Sequence, residues 1–204
     1  MKNKLLLGTS NAGKIKEFYF YLNHFNLFRN FHILSVNDLD NYKEPNENGI
    51  SFEENAEIKS NHFFNLTKIP TISDDSGFVI KDLNNYPGVK TARTTKNLGG
   101  EQKVIDHIFS LFKDKKKLNA SFYCALSFVN KEKRLIFKGK IDGFIIPQRR
   151  GNYGFGFDPY FIPINEKETY SEMIKDKKLI SSHRFKAFNI LANQIQLDNQ
   201  SFDC

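Results

Sequence analysis

The stretch Lys4-Leu-Leu-Leu7-Gly8-Thr-Ser-Asn-Ala-Gly13-Lys14 places a short apolar run directly before a loop of small residues and a lysine. The apolar run predicts a buried β-strand, and the apolar side chains after Lys14 recur at helical spacing. A strand, a small-residue loop and a helix N-terminus together direct backbone N–H groups and the positive end of the helix dipole at one point. The stretch therefore predicts an α/β fold with a phosphate-binding loop.

This loop is close to a P-loop, G-x-x-x-x-G-K-[ST], but differs from it at the last position. Ile15 stands where the motif needs a hydroxyl group that binds magnesium. A P-loop kinase or ATPase is therefore disfavoured. Any magnesium ion that serves this loop needs ligands from elsewhere in the chain.

The composition is that of a globular protein with an anionic partner. The chain has 204 residues and a net charge of +7, from 30 basic and 23 acidic residues. Its cysteines, Cys124 and Cys204, form no disulfide framework, which suits a reducing compartment. No apolar run is long enough to span a membrane. We expect a cytoplasmic protein with no membrane partner.

The basic residues cluster in the runs 113–117 and 175–178. Runs of this kind are usually solvated faces, and neither contains the interleaved aromatic residues of a single-strand stacking groove. We therefore expect no nucleic-acid partner. A non-catalytic nucleic-acid-binding module remains an alternative of a different class, and it leaves the acidic residues of the chain unexplained.

Helical and strand patterns alternate through the first half of the chain. The first helix has an apolar stripe of Ile15, Phe18, Tyr19, Leu22 and Phe25. Residues 32–36 read as a strand. Ser51 and Glu54 form a capping-box pattern. The helix that it opens has an apolar stripe of Phe52, Ala56, Phe63 and Leu66.

The second half adds antiparallel patterns. Residues 120–128 alternate apolar and polar, and residues 134–140 read as their hairpin partner, with a further strand over 141–147. The pattern Thr169-x-x-Glu172 predicts the cap of a short helix, and Ser182 predicts the cap of the last one. With no repeat and no clear linker, residues 1–204 read as a single domain.

Asp74-Asp75-Ser76-Gly77 ends the apolar strand predicted over 69–73, and residues 78–80 continue that strand. Adjacent carboxylates repel each other, and aspartates often form turns by accepting hydrogen bonds from the backbone. The carboxyl end of a strand is also where α/β folds place their ligands, and magnesium prefers oxygen ligands. The segment is therefore either a turn or an acidic site near the phosphate loop.

Other candidate residues stand out against their local pattern. Lys59 lies in the middle of an apolar helix face, so it either snorkels to solvent or meets a phosphate. The glycine-rich segment 151–159 carries Phe155 and Phe157, which either stack on a purine or close over the core. His183 and Arg184 begin a helix, where they either donate to an anion or the O6 atom of a purine or are ordinary residues of a surface helix.

Together these segments resemble the inosine triphosphate pyrophosphatases, or Ham1-like proteins, which hydrolyse non-standard purine nucleoside triphosphates. The matching segments are Thr9-Ser-Asn-Ala-Gly-Lys14, Glu47-Asn-Gly-Ile-Ser-Phe-Glu-Glu-Asn-Ala56 with Lys59, Ser73-Asp-Asp-Ser-Gly77, Pro87-Gly88 with Ala92-Arg93, Arg150-Gly151 with Gly154-Phe-Gly-Phe-Asp-Pro159, and Ser182-His-Arg184. They occur in the family's order and span most of the chain.

The resemblance implies two lobes on a long, twisted mixed β-sheet with flanking helices, and a nucleotide cleft between the lobes. It also implies a homodimer, a requirement for Mg²⁺, and hydrolysis of ITP, dITP or XTP to the monophosphate and pyrophosphate. A related Maf-type pyrophosphatase acting on dTTP or UTP is the nearest alternative. The acidic segment and the Ser-His-Arg segment favour the purine family.

The resemblance also assigns site residues by position. The catalytic group is Asp75 as proton acceptor, with Asp74 and Lys59. The metal ligands are Glu47 and Asp75. The substrate-binding residues are Thr9, Ser10, Asn11, Ala12, Gly13, Lys14, Ser76, Phe155, Gly156, Phe157, Asp158, Lys178, His183 and Arg184.

Overall fold

The computed structural model describes residues 3–112 and 114–200. Lys113 and Cys204, which entered the predictions above, lie outside the described residues. The strands are β1 (Lys4–Leu7), β2 (His32–Ser35), β3 (Thr71–Ile80), β4 (Tyr86–Pro87), β5 (Leu118–Val129), β6 (Arg134–Ile145) and β7 (Phe161–Pro163). The helices are α1 (Ala12–His24), α2 (Phe52–Thr67), α3 (Thr91–Leu98), α4 (Glu101–Ser110), α5 (Lys175–Ile180) and α6 (His183–Gln200).

The strands form a mixed sheet in the order β2-β1-β3-β5-β6-β7, with β4 paired to β3. Strand β1 pairs in parallel with β2 and with β3, and the register with β3 sets Leu6 opposite Thr71 and Leu7 opposite Ile72. The pairs β3–β4 and β6–β7 are antiparallel. The mixed α/β fold predicted from the sequence is therefore confirmed.

The chain divides into two compact units. The first contains the described residues of Met1–Asp75, Cys124–Gly139 and Arg184–Cys204, and the second contains Ser76–Tyr123 and Lys140–His183. In the first unit Leu6, Val36 and Phe63 form a buried cluster. In the second unit a larger cluster surrounds Phe78, Phe122 and Phe161. The single domain over 1–204 and the nucleotide cleft stay predictions.

Strand β3 differs from its prediction in a way that matters for the site. The acidic segment follows no strand end and forms no turn, because β3 continues without interruption from Thr71 to Ile80. Side chains alternate between the two faces of a strand, so Asp74 and Asp75 project to opposite faces of the sheet. Both are buried, with 0% and 7% of their surfaces exposed.

Other boundaries also differ from the predictions. Residues 141–147 form no separate strand, since β6 continues to Ile145. Thr169 caps no helix, since its hydroxyl donates to the Arg150 carbonyl at 2.9 Å and α5 begins only at Lys175. Leu66 is 58% exposed, so the buried face of α2 is centred on Lys59 and Phe63 instead.

Candidate active site

The strand, loop and helix N-terminus predicted over residues 4–14 are present, and the role of the loop in binding phosphate stays a prediction. Asn11 caps α1, its side-chain Oδ1 accepting from the Lys14 N–H at 3.1 Å, and the Asn11 N–H donates to Thr9 Oγ1 at 3.3 Å. An added Cβ at Gly8 would lie 2.1 Å from Ser73 Oγ, so any larger residue where the chain leaves β1 would require Ser73 to shift. Thr9 is buried, whereas Ser10 is exposed and its carbonyl accepts from Asn37.

Ala12 and Gly13 form the first turn of α1, so their backbone N–H groups stand at the positive end of the helix. The Lys14 side chain extends from this turn, and its Nζ lies 2.9 Å from Asp74 Oδ1. The lysine predicted to hold phosphate is thus already paired with a carboxylate of β3.

Asp74 is enclosed by cationic groups. Arg184 Nε donates to Asp74 Oδ2 at 3.2 Å, and Arg184 Nη1 donates to Glu17. Burial alone would lower the pKa of Arg184, but Glu17 and Asp74 raise it well above its ordinary value. The Cys124 thiol lies 4.0 Å from Asp74 Oδ2. Asp74 therefore acts as an anchor between Lys14 and Arg184.

Asp75 has different partners on the other face of β3. Asn55 Nδ2 donates to Asp75 Oδ2 at 3.1 Å, and Lys59 Nζ lies 3.5 Å from Asp75 Oδ1. Lys59 Nζ is also 3.0 Å from Glu47 Oε2. Lys59 therefore bridges two carboxylates instead of snorkelling to solvent.

The electrostatics of this group favour a proton acceptor at Asp75. Burial raises the pKa of Asp75 above its usual value, although Lys59 and Lys14 oppose the rise. Burial alone would lower the pKa of Lys59, but Asp75, Asp74 and Glu47 raise it overall, so the ammonium stays charged. A carboxylate with a raised pKa beside a fixed cation suits general-base chemistry.

The predicted metal ligands, Glu47 and Asp75, converge on one cation, the ammonium of Lys59. Within residues 3–112 and 114–200, no group of at least three His, Cys, Asp or Glu side chains is arranged to hold a metal ion. Mg²⁺ commonly takes one or two protein carboxylates and fills its other positions with water and substrate phosphates. The two carboxylates therefore fit that mode of binding.

A second group of predicted residues lies together in the second compact unit. Lys178 Nζ is 3.0 Å from Asp158 Oδ2 and 5.2 Å from the centre of the Phe155 ring. The Phe155 N–H donates to Asp158 Oδ2 at 2.9 Å. Gly156 has φ +60°, and the space beside it is open. The salt bridge thus holds the loop that carries Phe155.

Phe157 differs from its prediction as a substrate-binding residue. Its ring is only 6% exposed and packs against Phe78 with ring centres 4.4 Å apart, so it is a core side chain. The core-packing alternative holds for Phe157, and Phe155 alone remains a candidate for stacking. Ser76 is half-buried in β3.

His183 and Arg184 are neighbours in the chain with separate surroundings. The His183 ring stacks on Phe122 at 5.0 Å with an interplanar angle of 12°. Arg184 is 3% exposed and binds Asp74 and Glu17, as described above. Its role at the purine edge stays a prediction.

Sequence reasoning missed Glu17. This glutamate is 5% exposed, one turn after Lys14 on α1, beside the buried Phe18 and Tyr21. The signal was available, because an acidic side chain on an apolar helix face is as unusual as Lys59 on α2. Buried charges require partners, and here the partner, Arg184, is far away in sequence.

Comparison with known proteins identifies the family. The model of the Ham1 family matches residues 5–194. The chain therefore belongs to the Ham1 family. It is 34% identical over 197 residues to a dITP/XTP pyrophosphatase of Bacillus anthracis, covering 94% of this chain and 96% of the relative.

A dITP/XTP pyrophosphatase of Leptospira interrogans is 37% identical over 197 residues, with 94% of this chain and 96% of the relative covered. The structure of the Staphylococcus aureus Ham1 protein matches with a TM-score of 0.82 and 27% identity, covering 96% of this chain and 100% of that chain. The resemblance inferred from the sequence motifs is confirmed. No helix among the described residues is long and apolar enough to cross a membrane.

Proposed function

We propose that this protein hydrolyses non-standard purine nucleoside triphosphates, namely ITP, dITP and XTP, to the monophosphate and pyrophosphate. The membership of the Ham1 family and the names of the relatives support this reaction. They do not favour the alternative of a pyrimidine pyrophosphatase acting on dTTP or UTP. The observation that carries the mechanism is the buried Asp75 carboxylate beside Asn55 and Lys59.

In the proposed mechanism Asp75 accepts a proton from the water that attacks the α-phosphorus. The bond from this phosphorus to the bridging oxygen breaks, and pyrophosphate leaves with its charge facing Lys14 and Lys59. A well-placed general base contributes about 10²–10⁴-fold to the rate. Fixed cations stabilise the charge that develops on the leaving group.

Glu47 and Asp75 would hold a magnesium ion in this mechanism. When bound, the ion would supply positive charge that stabilises the phosphate oxygens. The Thr9–Lys14 loop would hold the polyphosphate through the N-terminus of α1. Phe155 would stack on the purine, and His183 would donate to its O6 atom, which adenine lacks.

The test is a panel of ITP, XTP, dTTP, GTP and ATP, each incubated with the purified protein with and without Mg²⁺. Pyrophosphate and orthophosphate are measured separately. The proposal predicts pyrophosphate from ITP and XTP, a dependence on Mg²⁺, and little product from ATP. Orthophosphate alone would contradict the position of cleavage, and a preference for dTTP would favour the pyrimidine alternative.

We propose a homodimer as the assembly and the cytoplasm as the location. The homodimer is what the resemblance to the Ham1 family implies. The buried Cys124 thiol is not part of a disulfide, which suits a reducing compartment. Light scattering after gel filtration tests the assembly, and cell fractionation tests the location.

A further inference from the structure

Four charged side chains of alternating sign form a continuous series in the first compact unit, which we call the charge chain. Glu17 accepts from Arg184 Nη1, and Arg184 Nε donates to Asp74 Oδ2 at 3.2 Å. Asp74 Oδ1 lies 2.9 Å from Lys14 Nζ. The series thus runs from α1 through the start of α6 and β3 and returns to α1.

The charge chain is buried at one end and reaches the phosphate loop at the other. The side chains of Asp74, Arg184 and Glu17 are 0%, 3% and 6% exposed, whereas that of Lys14 is 15% exposed. Charges buried to this degree are tolerated only when each has partners of opposite sign. The four formal charges sum to zero, so the loss of one charge gives the series a net charge and alters the interactions of the neighbouring groups.

We propose that Arg184 and Glu17 are positioning residues that act through Asp74 on Lys14 and so set how strongly the loop binds a polyphosphate. Asp74 carries one negative charge that Arg184 and Lys14 share. The more of that charge Arg184 neutralises, the less Lys14 is held back from an incoming phosphate. This role concerns the phosphate loop and needs no contact between Arg184 and a purine. The proposal rests on the proposed function only in taking the loop as the phosphate site.

Substitutions of the two positioning residues should change the affinity for a polyanion in opposite directions. The substitution Arg184→Gln removes one cation from Asp74, so Asp74 holds Lys14 more strongly and the charge chain gains a net negative charge. A polyanion then binds more weakly. The substitution Glu17→Gln removes the anion that competes with Asp74 for Arg184 and gives the charge chain a net positive charge, so a polyanion binds more tightly. The double substitution restores a net charge of zero, and binding returns towards that of the unaltered protein.

The test measures the affinity of inorganic tripolyphosphate, which has no base, by isothermal titration calorimetry. We expect Kd to rise about tenfold in Arg184→Gln and to fall about threefold in Glu17→Gln, as for one unit charge in a partly solvated site. In the double variant Kd should lie within about threefold of the unaltered protein. Arg134→Gln is the matched control, because it removes an exposed arginine whose Nε donates to Asn61.

Two results overturn the proposal. One is an unchanged tripolyphosphate Kd in Arg184→Gln with an altered ratio of kcat/KM for ITP over ATP, which would make Arg184 a reader of the base. The other is unchanged or weaker binding in Glu17→Gln. Circular dichroism and thermal unfolding accompany each titration. If Arg184→Gln fails to fold, the titration of Glu17→Gln decides the matter.

This measurement is independent of hydrolysis. A protein that binds tripolyphosphate with the expected pattern but releases no pyrophosphate from any nucleotide would contradict the proposed function alone. A protein that hydrolyses ITP while the variants show no opposing shifts would contradict the charge chain alone.

Discussion

Asp74 and Asp75 are adjacent in sequence, yet their surroundings differ in almost every respect. Asp74 lies between the Lys14 ammonium at 2.9 Å and the Arg184 guanidinium at 3.2 Å. Asp75 accepts from the neutral amide of Asn55 at 3.1 Å and is 3.5 Å from an ammonium that it shares with Glu47. Asp74 thus lies between two cations, whereas Asp75 contacts one ammonium at a longer distance.

The difference shows that adjacent carboxylates need not form a dyad that shares a proton. Because β3 is continuous, Asp74 and Asp75 face opposite sides of the sheet, where each meets its own partners. A permanently paired carboxylate is a poor proton acceptor, whereas burial has already raised the pKa of Asp75. We infer a division of labour in which Asp74 fixes charge and Asp75 accepts the proton.

The largest effect should come from removing the proton acceptor. In Asp75→Asn we expect kcat on ITP to fall by about 10²–10⁴-fold, because an amide cannot take a proton from water. Nucleotide binding should stay largely intact, as measured by calorimetry with ITP. A rate close to that of the unaltered enzyme would remove Asp75 from the role of base.

The second effect concerns stability, and here the substitution of Asp74 should cost more than that of Asp75. In Asp74→Asn, Arg184 and Lys14 lose their shared carboxylate, so the free energy of unfolding should fall by about 3–5 kcal/mol. In Asp75→Asn the loss should be smaller, about 1–2 kcal/mol, because the raised pKa of Asp75 means that folding favours its neutral form and because Lys59 keeps Glu47 as a partner. Urea denaturation of both variants at neutral pH measures the contrast. Equal losses would contradict the division of labour.

The third effect concerns magnesium and the face of Asp75. In Glu47→Gln we expect the Mg²⁺ concentration for half-maximal rate to rise about tenfold, because one anionic ligand is lost. The Glu47 side chain is 39% exposed, so its ion pair with Lys59 adds little to stability. Glu53→Gln is the control, as Glu53 forms an exposed pair with Lys138 at 3.2 Å. The same magnesium dependence in both variants would reject Glu47 as a ligand.

The smallest effect should come from the amide that supports the base. The Asn55 hydrogen bond lowers the pKa of Asp75, so in Asn55→Ala that pKa rises further. Protonation then removes the base at higher pH, and the acidic limb of the pH profile of kcat moves upward. At the optimum we expect kcat to fall about two- to tenfold. Asn61→Ala on the same helix is the control, and a limb that moves to lower pH would contradict this role for Asn55.

Local signals explain what the sequence predicted well. The loop from Gly8 to Lys14, the cap at Ser51 and the start of α6 at His183 depend on residues close together in the chain. Such short-range patterns dictate their own geometry through capping and helical periodicity. They also located Lys59, whose place on an apolar face marked it as unusual.

The features that sequence reasoning missed depend on distant partners. Two aspartates are unfavourable inside a strand until Lys14 and Arg184 compensate one of them, and that pairing is invisible locally. Phe155 and Phe157 give a similar case, since both are phenylalanines in one glycine-rich loop and the local sequence does not distinguish them. Only packing against Phe78 makes Phe157 a core residue.

Because side chains alternate along β3, the register of this strand determines whether each aspartate reaches its own partners. Parallel pairing sets Leu6 opposite Thr71 and Leu7 opposite Ile72, which fixes the face on which each aspartate stands. A slip of one residue would exchange the two faces, so each carboxylate would meet the other's partners. Molecules folded with such a slip would keep the composition of the site and lose its chemistry. Refolded enzyme should therefore be judged by its fraction of active sites as well as by its recovered secondary structure.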